Sequence, residues 1–249
     1  MRRTPADMPR LFVTADPDRP DRGRLDAAGA RHLRALRLQP GDEITAILGP
    51  ERRHRARIES IERSGASVVL GEAIEAAPSD PRHPRVLAVG LGDAARMDLV
   101  VEKATELGAT RIQPFVAARS QVRQVSATRL ERWRRIARSA CEQCGRSVPP
   151  EICPPIPFAA LASASAKGGT VLLFAQVEAA RPLAAHGRAA SGAQPELTLV
   201  IGPEGGFTDA EIAELSATAQ TVKLGSRTLR FETAAIAALA AVAALLPDD

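Results

Sequence analysis

Tyrosine is absent from the 249-residue chain, tryptophan occurs once, at Trp133, and phenylalanine six times. A core this poor in rings has to be built from Ala, Leu, Val and Ile, and an apolar fraction of 45% is enough for one. Cysteine numbers three, an odd count. Cys141 and Cys144 form a C-x-x-C, but no second such pair and no paired histidine follows, and the motif falls late in a predicted helix. Zinc and thioredoxin-like redox chemistry are excluded on that pattern, which leaves Cys141, Cys144 and Cys153 as thiols in a reducing compartment. Long apolar runs are missing too: the longest, Ala234–Leu246, is too short and too Ala-rich to span a bilayer. The N-terminus is polar and Arg-rich rather than apolar, so no signal peptide is expected. These absences predict a soluble cytoplasmic protein.

Lysine is nearly absent. Lys103, Lys167 and Lys223 are the only ones, so 30 of the 33 basic residues are Arg. The net charge is only +4, yet the arginines cluster in Arg31–Arg37, Arg52–Arg57 and Arg129–Arg138. One such cluster is ordinarily a solvated face. Three make the footprint of a phosphate-backbone partner the better reading.

Two patterns divide the chain. Residues 1–78 carry short strand candidates at Leu11–Val13, Glu43–Leu48, His54–Ile61 and Ser67–Ile74. Turn signals at Gln39-Pro40-Gly41-Asp42 and Arg63-Ser64-Gly65 have the spacing of a small barrel, and one short helix is expected over Ala28–Leu36. Residues 79–84 contain Pro81 and Pro84 and follow Pro78, which makes this stretch the linker. From 85 to 249 strand and helix alternate. Strands are expected at Val86–Leu91, Ile112–Val116, Val171–Ala175, Leu197–Ile201 and Val222–Leu224. Helices are expected after Asp93, after Ser126 or Thr128, and from Thr233 to Leu246. This order predicts an α/β fold with a mostly parallel, doubly wound sheet. Ala179–Gln194 reads as a mobile excursion.

Two loops stand out. Leu199–Ile201 runs as a buried strand into Gly202-Pro203-Glu204-Gly205-Gly206-Phe207, and Thr208 and Glu211 make a T-x-x-E capping box that starts a helix. Gly202, Gly205 and Gly206 are expected to take positive φ and to allow a close approach to a ligand. The loop is neither G-x-G-x-x-G nor G-K-[ST], which argues against a dinucleotide and a nucleoside triphosphate. The second loop, Leu224-Gly225-Ser226-Arg227-Thr228-Leu229-Arg230, also follows a strand and precedes a helix. In a doubly wound sheet both open on the same edge, where ligands bind. Arg230 and Glu232 are expected to be buried, and therefore paired with each other, with a ligand or with another subunit. Lys103 and Glu106 read as a helical ion pair. Arg119 follows a strand at the carboxyl edge, where a substrate phosphate would lie.

The order Pro9-Arg10-Leu11-Phe12, His32-Leu33-Arg34…Arg37, Lys103…Glu106-Leu107-Gly108, Glu142-Gln143-Cys144-Gly145-Arg146, Ile201-Gly202-Pro203-Glu204-Gly205-Gly206 and Leu229-Arg230-Phe231-Glu232-Thr233-Ala234 resembles the bacterial 16S rRNA (uracil-N3)-methyltransferase family of the SPOUT class. The match spans nearly the whole chain. It implies a trefoil-knotted methyltransferase domain preceded by a PUA-like β-barrel, a homodimer, S-adenosylmethionine as cofactor and no metal. It implies a cofactor seat on Ile201, Gly202, Pro203, Glu204, Gly205, Gly206, Leu224, Gly225, Leu229, Arg230, Thr233 and Ala234. The substrate it implies is one uridine near the 3′ end of 16S rRNA in the small (30S) subunit.

Within that resemblance Arg119 and Arg230 are the candidates for stabilising a uracil anion, and Glu232 is a candidate base. Arg10, His32, Arg34, Arg37, Arg119, Gln143 and Arg146 are the candidates for RNA contact. Two positions depart from the family: Phe231 stands where a small residue such as Thr is common, and Gly92-Asp93-Ala94-Ala95 lacks a lysine common before the first large-domain helix. Alternatives are a SPOUT enzyme acting on another target, such as a ribose 2′-hydroxyl or tRNA, and a non-catalytic rRNA-binding assembly factor.

Overall fold

The computed structural model describes residues 8–50, 52–74, 81, 83–165, 169–183 and 196–245. Half of the expected linker (residues 79, 80 and 82) and most of the expected excursion lie outside these. The chain divides into two units, Met1–Ser79 with Cys141–Val148, and Asp80–Ala140 with Pro149–Asp249.

The first unit holds β1 (Arg10–Phe12), β2 (Thr14–Ala15), β3 (Arg22–Asp26), α1 (Ala27–Ala35), β4 (Glu43–Gly49), β5 (Arg52–Ile61) and β6 (Gly65–Ile74). The strand order is β1-β4-β5-β6-β3-β2. Its two edges, β1 and β2, are one stretch of chain interrupted only at Val13. Arg10–Phe12 pairs with β4, Thr14 and Ala15 pair with β3, and Val13 N–H donates to Ile47 O at 2.9 Å. A sheet whose edges are the same strand has closed on itself, which removes the unpaired edges of an open sheet. Leu11, Leu25, Ile44, Ala56, Ile58 and Val68 fill the interior, and α1 adds Ala30 and Leu33. The Asp26 carboxylate caps α1 by accepting from Gly29 N–H at 2.8 Å. The sequence reading misses β2 and β3 because Arg22-Gly23-Arg24 hides the alternation that Leu25 completes.

The second unit holds β7 (Arg85–Gly90), α2 (Ala94–Glu106), β8 (Arg111–Val116), α3 (Ala127–Cys144, whose last four residues count with the first unit), β9 (Glu151–Ile152), β10 (Ile156–Pro157), α4 (Phe158–Ser165), β11 (Thr170–Phe174), β12 (Arg181–Pro182), β13 (Leu197–Ile201), α5 (Asp209–Ser216), β14 (Gln220–Lys223) and α6 (Phe231–Leu245). The sheet order is β10-β8-β7-β13-β11-β14-β12, with β9 also on β8, and every pairing is parallel.

Side chains alternate between two cores, as the strand period of 2 requires. Leu87, Val89, Leu172, Leu199 and Ile201 face one core with α2, α3 and α6, while Ala88, Leu173 and Val200 face the other with Phe115 and Leu215. This explains the unbroken apolar runs of β7, β11 and β13. The sequence reading misses α4 and the two-residue strands β9, β10 and β12, which are too short to leave a period.

The indole of Trp133 is 1% exposed, and its Nε1–H donates to Asp98 Oδ1 at 3.0 Å. Arg132 Nε holds the other oxygen of Asp98 at 2.7 Å. Trp133→Phe keeps an aromatic side chain but leaves Asp98 Oδ1 only the weak 3.5 Å contact with Arg129 Nη1, and a loss of about 1–2 kcal/mol in chemical denaturation is expected.

Candidate functional site

The register of the parallel sheet sets where loops emerge. Pro114, Val89, Ile201, Phe174 and Val222 lie abreast on five neighbouring strands. The chain therefore leaves β7, β8, β11, β13 and β14 at one level, at their carboxyl ends, where α/β sheets bind ligands. A cavity of about 540 Å³ opens there, lined by Ile201–Glu204, Gly206, Phe207, Leu224, Thr228–Phe231, Ala234, Phe174–Val177 and Arg96 among others. Its size suits a cofactor, since such sites typically span roughly 300–1,000 Å³.

Of the expected cofactor residues, the cavity brings together Ile201, Gly202, Pro203, Glu204, Gly206, Leu224, Leu229, Arg230 and Ala234. Gly205, Gly225 and Thr233 are not in its lining. Phe231, the departure from the family, is 5% exposed and forms part of the wall. Missed by the sequence reading were Phe174, the last residue of β11, and Ala175, Gln176 and Val177 in the loop after it. Their signal was available, since they follow a buried strand at the same edge. Gln176 Nε2–H donates to Gly225 O at 3.2 Å and Arg227 O at 3.0 Å, binding the two loops together.

The glycine loop is shaped differently from expectation. Only Gly206 has a positive φ, 69°, closing a turn in which its N–H donates to Pro203 O at 2.8 Å. Gly202 and Gly205 are needed for space instead. A Cβ on Gly202 would sit 2.9 Å from the Phe207 ring, and one on Gly205 would sit 2.9 Å from Arg119 Cβ and O. Phe207 in turn stacks on Phe115 with centroids 6.1 Å apart and planes 5° from parallel.

The capping box is present: Glu211 N–H donates to Thr208 Oγ1 at 3.2 Å, and Thr208 N–H to Glu211 Oε2 at 2.9 Å. Glu211 also accepts from Ala118 N–H at 2.8 Å. Arg119, expected to face substrate, donates from Nη1 to Phe207 O at 3.1 Å and more weakly to Gly205 O at 3.4 Å. The turn after β8 thus braces the glycine loop.

Arg230 is exposed at the cavity, contrary to the burial expected of it, because it belongs to the loop between β14 and α6 rather than to either element. Glu232, in the first turn of α6, lies beside Arg96 of α2, with Oε2 4.0 Å from Nε. Glu204 lies 3.8 Å from the same guanidinium and accepts from Asp93 N–H at 2.7 Å. Asp93 caps α2, and the N–H groups of Arg96 and Ala95 hold its carboxyl below the usual carboxylate range. Lys103 is an ion pair as read, with Glu102 at 2.7 Å and Glu106 at 2.8 Å, and these raise its ammonium to about 12.

Apart from Arg119, the expected RNA contacts lie in the first unit. Arg34 and Arg37 are exposed, and Arg34 donates to Glu62 O at 2.8 Å. His32 Nδ1 is 3.2 Å from Glu142 Oε2, while Phe12 N–H donates to Glu142 Oε1 at 3.1 Å. Arg10 donates to Gln143 O at 3.2 Å. Arg53 donates to Gly145 O at 2.5 Å and to Ser147 Oγ at 2.8 Å. Arg146 is 3% exposed. Glu142–Arg146 is therefore largely tied into its own unit. Cys141 and Cys144 donate to the carbonyls of Val148 and Cys141, at 3.7 and 3.9 Å, and burial pushes the Cys153 thiol up.

Comparison with known proteins adds relatives to this geometry. A family model described as RNA methyltransferase domain matches residues 79–243, and one described as RNA methyltransferase PUA domain matches residues 25–71. The chain is 33% identical over 214 residues to ribosomal RNA small subunit methyltransferase E of Synechocystis, covering 86% of this chain and 69% of the relative. It is 33% identical over 244 residues to the protein of that name in Mycobacterium bovis, covering 94% and 91%. Among solved structures, the Neisseria gonorrhoeae ribosomal RNA small subunit methyltransferase E bound to S-adenosyl methionine superposes with a TM-score of 0.80 at 31% identity, covering 96% of this chain and 98% of that one. A Legionella pneumophila protein in complex with the cofactor SAM gives 0.84 at 29% identity, covering 95% and 97%.

Proposed function

The chain belongs to the RNA methyltransferase family, and on that premise we propose that it methylates N3 of a single uridine near the 3′ end of 16S rRNA within the small ribosomal subunit, using S-adenosylmethionine. One observation carries the reading: three loops and the first turn of α6 converge on one cavity at the carboxyl edge of the parallel sheet. The residues present suit this cofactor. The glycines bring backbone against the cavity, and two carboxylate oxygens in the Glu204 and Glu232 side chains are buried without a hydrogen-bond partner among the described residues. Such acceptors match a cofactor that carries positive charge. When bound, S-adenosylmethionine supplies an electrophilic methyl on a sulfonium.

The chain's own residues supply position and charge. The loops after β11, β13 and β14 hold the donor side so that a base can be presented in line, the chief entropic gain of such a site. The target base has to leave its stack. N3 of neutral uracil has no free lone pair, so its proton must depart and the anion must be stabilised. Arg230, exposed at the cavity, is assigned that stabilisation. Arg119 is assigned to hold the glycine loop through the Phe207 carbonyl, and Glu232 to orient charge beside Arg96 rather than to act as the base. Arg10, His32, Arg34 and Arg37 are assigned to RNA.

The knot belongs to the same reading. What supports it is that β14 lies between β11 and β12 and that Gln176, in the turn joining those two strands, donates to Gly225 O and Arg227 O in the chain leaving β14. We also infer a homodimer, consistent with Leu99 and Leu245 being large apolar side chains left exposed on α2 and α6, and a cytoplasmic site of action. No described helix is long and apolar enough to cross a membrane.

Small subunits purified from a strain lacking the protein, incubated with it and labelled S-adenosylmethionine, are expected to gain 3-methyluridine at one site, identified by mass spectrometry. A methylated ribose or a labelled tRNA would move the substrate. Absence of cofactor binding would favour an assembly factor.

A further inference from the structure

Arg96 stands outside every motif that marked this site in the sequence, yet it touches both loops that did. Its Nη1 lies 3.8 Å from Glu204 Oε1 in the glycine loop, and its Nε lies 4.0 Å from Glu232 Oε2 at the start of α6. Both contacts fall beyond hydrogen-bond length and within ion-pair reach. Both carboxylates are mostly buried, at 17% and 16% side-chain exposure, and the guanidinium at 43% is not. The Oε2 atoms of both acids are buried with no hydrogen-bond partner among the described residues, an unusual condition for acceptors, and Glu204 lines the cavity while Glu232 follows the lining residue Phe231. A third loop is drawn in. Asp93 N–H donates to Glu204 Oε1 at 2.7 Å, and Gly92 leaves that carboxylate its room, since a Cβ there would lie 2.6 Å from the same oxygen.

We propose that Arg96 is a positioning residue of the cofactor site: bridging Glu204 in the cavity wall and Glu232 in the first turn of α6, it holds the glycine loop against α6 and leaves the unfilled Glu204 oxygen for a cationic group of S-adenosylmethionine. The inference rests on the cofactor assigned above. Without the guanidinium the two acids repel, and the balance shifts toward separation of the glycine loop from α6. A cofactor with an ammonium and a sulfonium is the ligand chemistry that such a pair prefers over a neutral one.

The test is calorimetric titration of S-adenosylmethionine into the full-length protein, its Arg96→Met, Arg96→Lys and Glu232→Gln variants, and the Arg96→Met/Glu232→Gln double variant, with thermal melts alongside. Arg96→Met is expected to weaken cofactor binding about tenfold or more with its melting temperature little changed, and Arg96→Lys to recover most of the loss. Because both residues act through one bridge, the double variant is expected to bind no more weakly than the weaker single variant. Unchanged affinity in Arg96→Met, or losses that multiply in the double variant, would overturn the proposal. Should Arg96→Met fail to fold, an unchanged affinity in folded Glu232→Gln would do the same. A wild-type protein that binds no S-adenosylmethionine would overturn the cofactor reading itself, a separate result.

Discussion

Replacing Gly90 by alanine is expected to reduce S-adenosylmethionine affinity by at least about a hundredfold, since cofactor geometry tolerates little displacement. Gly90 ends β7, one strand over from the glycine loop. A Cβ there would lie 2.4 Å from Pro203 N and 2.9 Å from the Gly202 carbonyl carbon. These are backbone atoms, so no rotamer change relieves the clash, and the glycine loop itself has to move. Overpacking of this kind costs typically about 1–3 kcal/mol of stability, which a thermal melt would register while the protein stays folded. Gly92→Ala is the informative companion. Its Cβ would meet the Glu204 carboxylate at 2.6 Å, the far end of a flexible side chain, so the loop can stay while the acid swings away. Its affinity loss is expected to be the smaller of the two. Isothermal titration of both variants checks the order, and Gly90→Ala binding like the wild type would remove the glycine loop from the cofactor site.

The contrast between Gly90 and Gly202 explains how much of this site the sequence displays. Gly202, Gly205 and Gly206 sit in one run with a capping box behind them, so a loop and a helix start are readable locally. Gly90 reads as an ordinary strand end, because its reason is a neighbour more than a hundred residues away that only the β7–β13 pairing supplies. Arg96 is hidden in the same way. It looks like any solvated helix residue until α2 and the start of α6 come together. The β–α alternation was legible because buried parallel strands leave apolar runs of five or six residues. The barrel was half legible, since β4, β5 and β6 alternate cleanly while β2 is two residues long. The spacing of glycines gave the location of the ligand loop but not its mechanism: two of the three expected positive φ angles are absent, and those glycines serve close packing against Phe207 and Arg119.

Arg146 separates a structural arginine from an RNA-binding one. At 3% exposure its guanidinium is out of water, and a buried charge is kept only with partners. Arg146→Leu removes donors that are buried with it and leaves their partners unsatisfied, a change that costs about 1–3 kcal/mol or more. The unfolding midpoint of the first unit in chemical denaturation is therefore expected to fall sharply. Arg37→Ala is expected to do the opposite. Arg37 is exposed at the turn after α1, so its loss should change stability by no more than about 0.5 kcal/mol. If its guanidinium meets a phosphate, the slope of log affinity against log salt for rRNA should become shallower by about one. Both measurements on both variants give four numbers that have to cross. An Arg146→Leu protein of normal stability with a shallower salt slope would mean that the guanidinium turns outward to the RNA, and that the Glu142–Arg146 segment contributes a binding surface rather than a brace for the barrel unit.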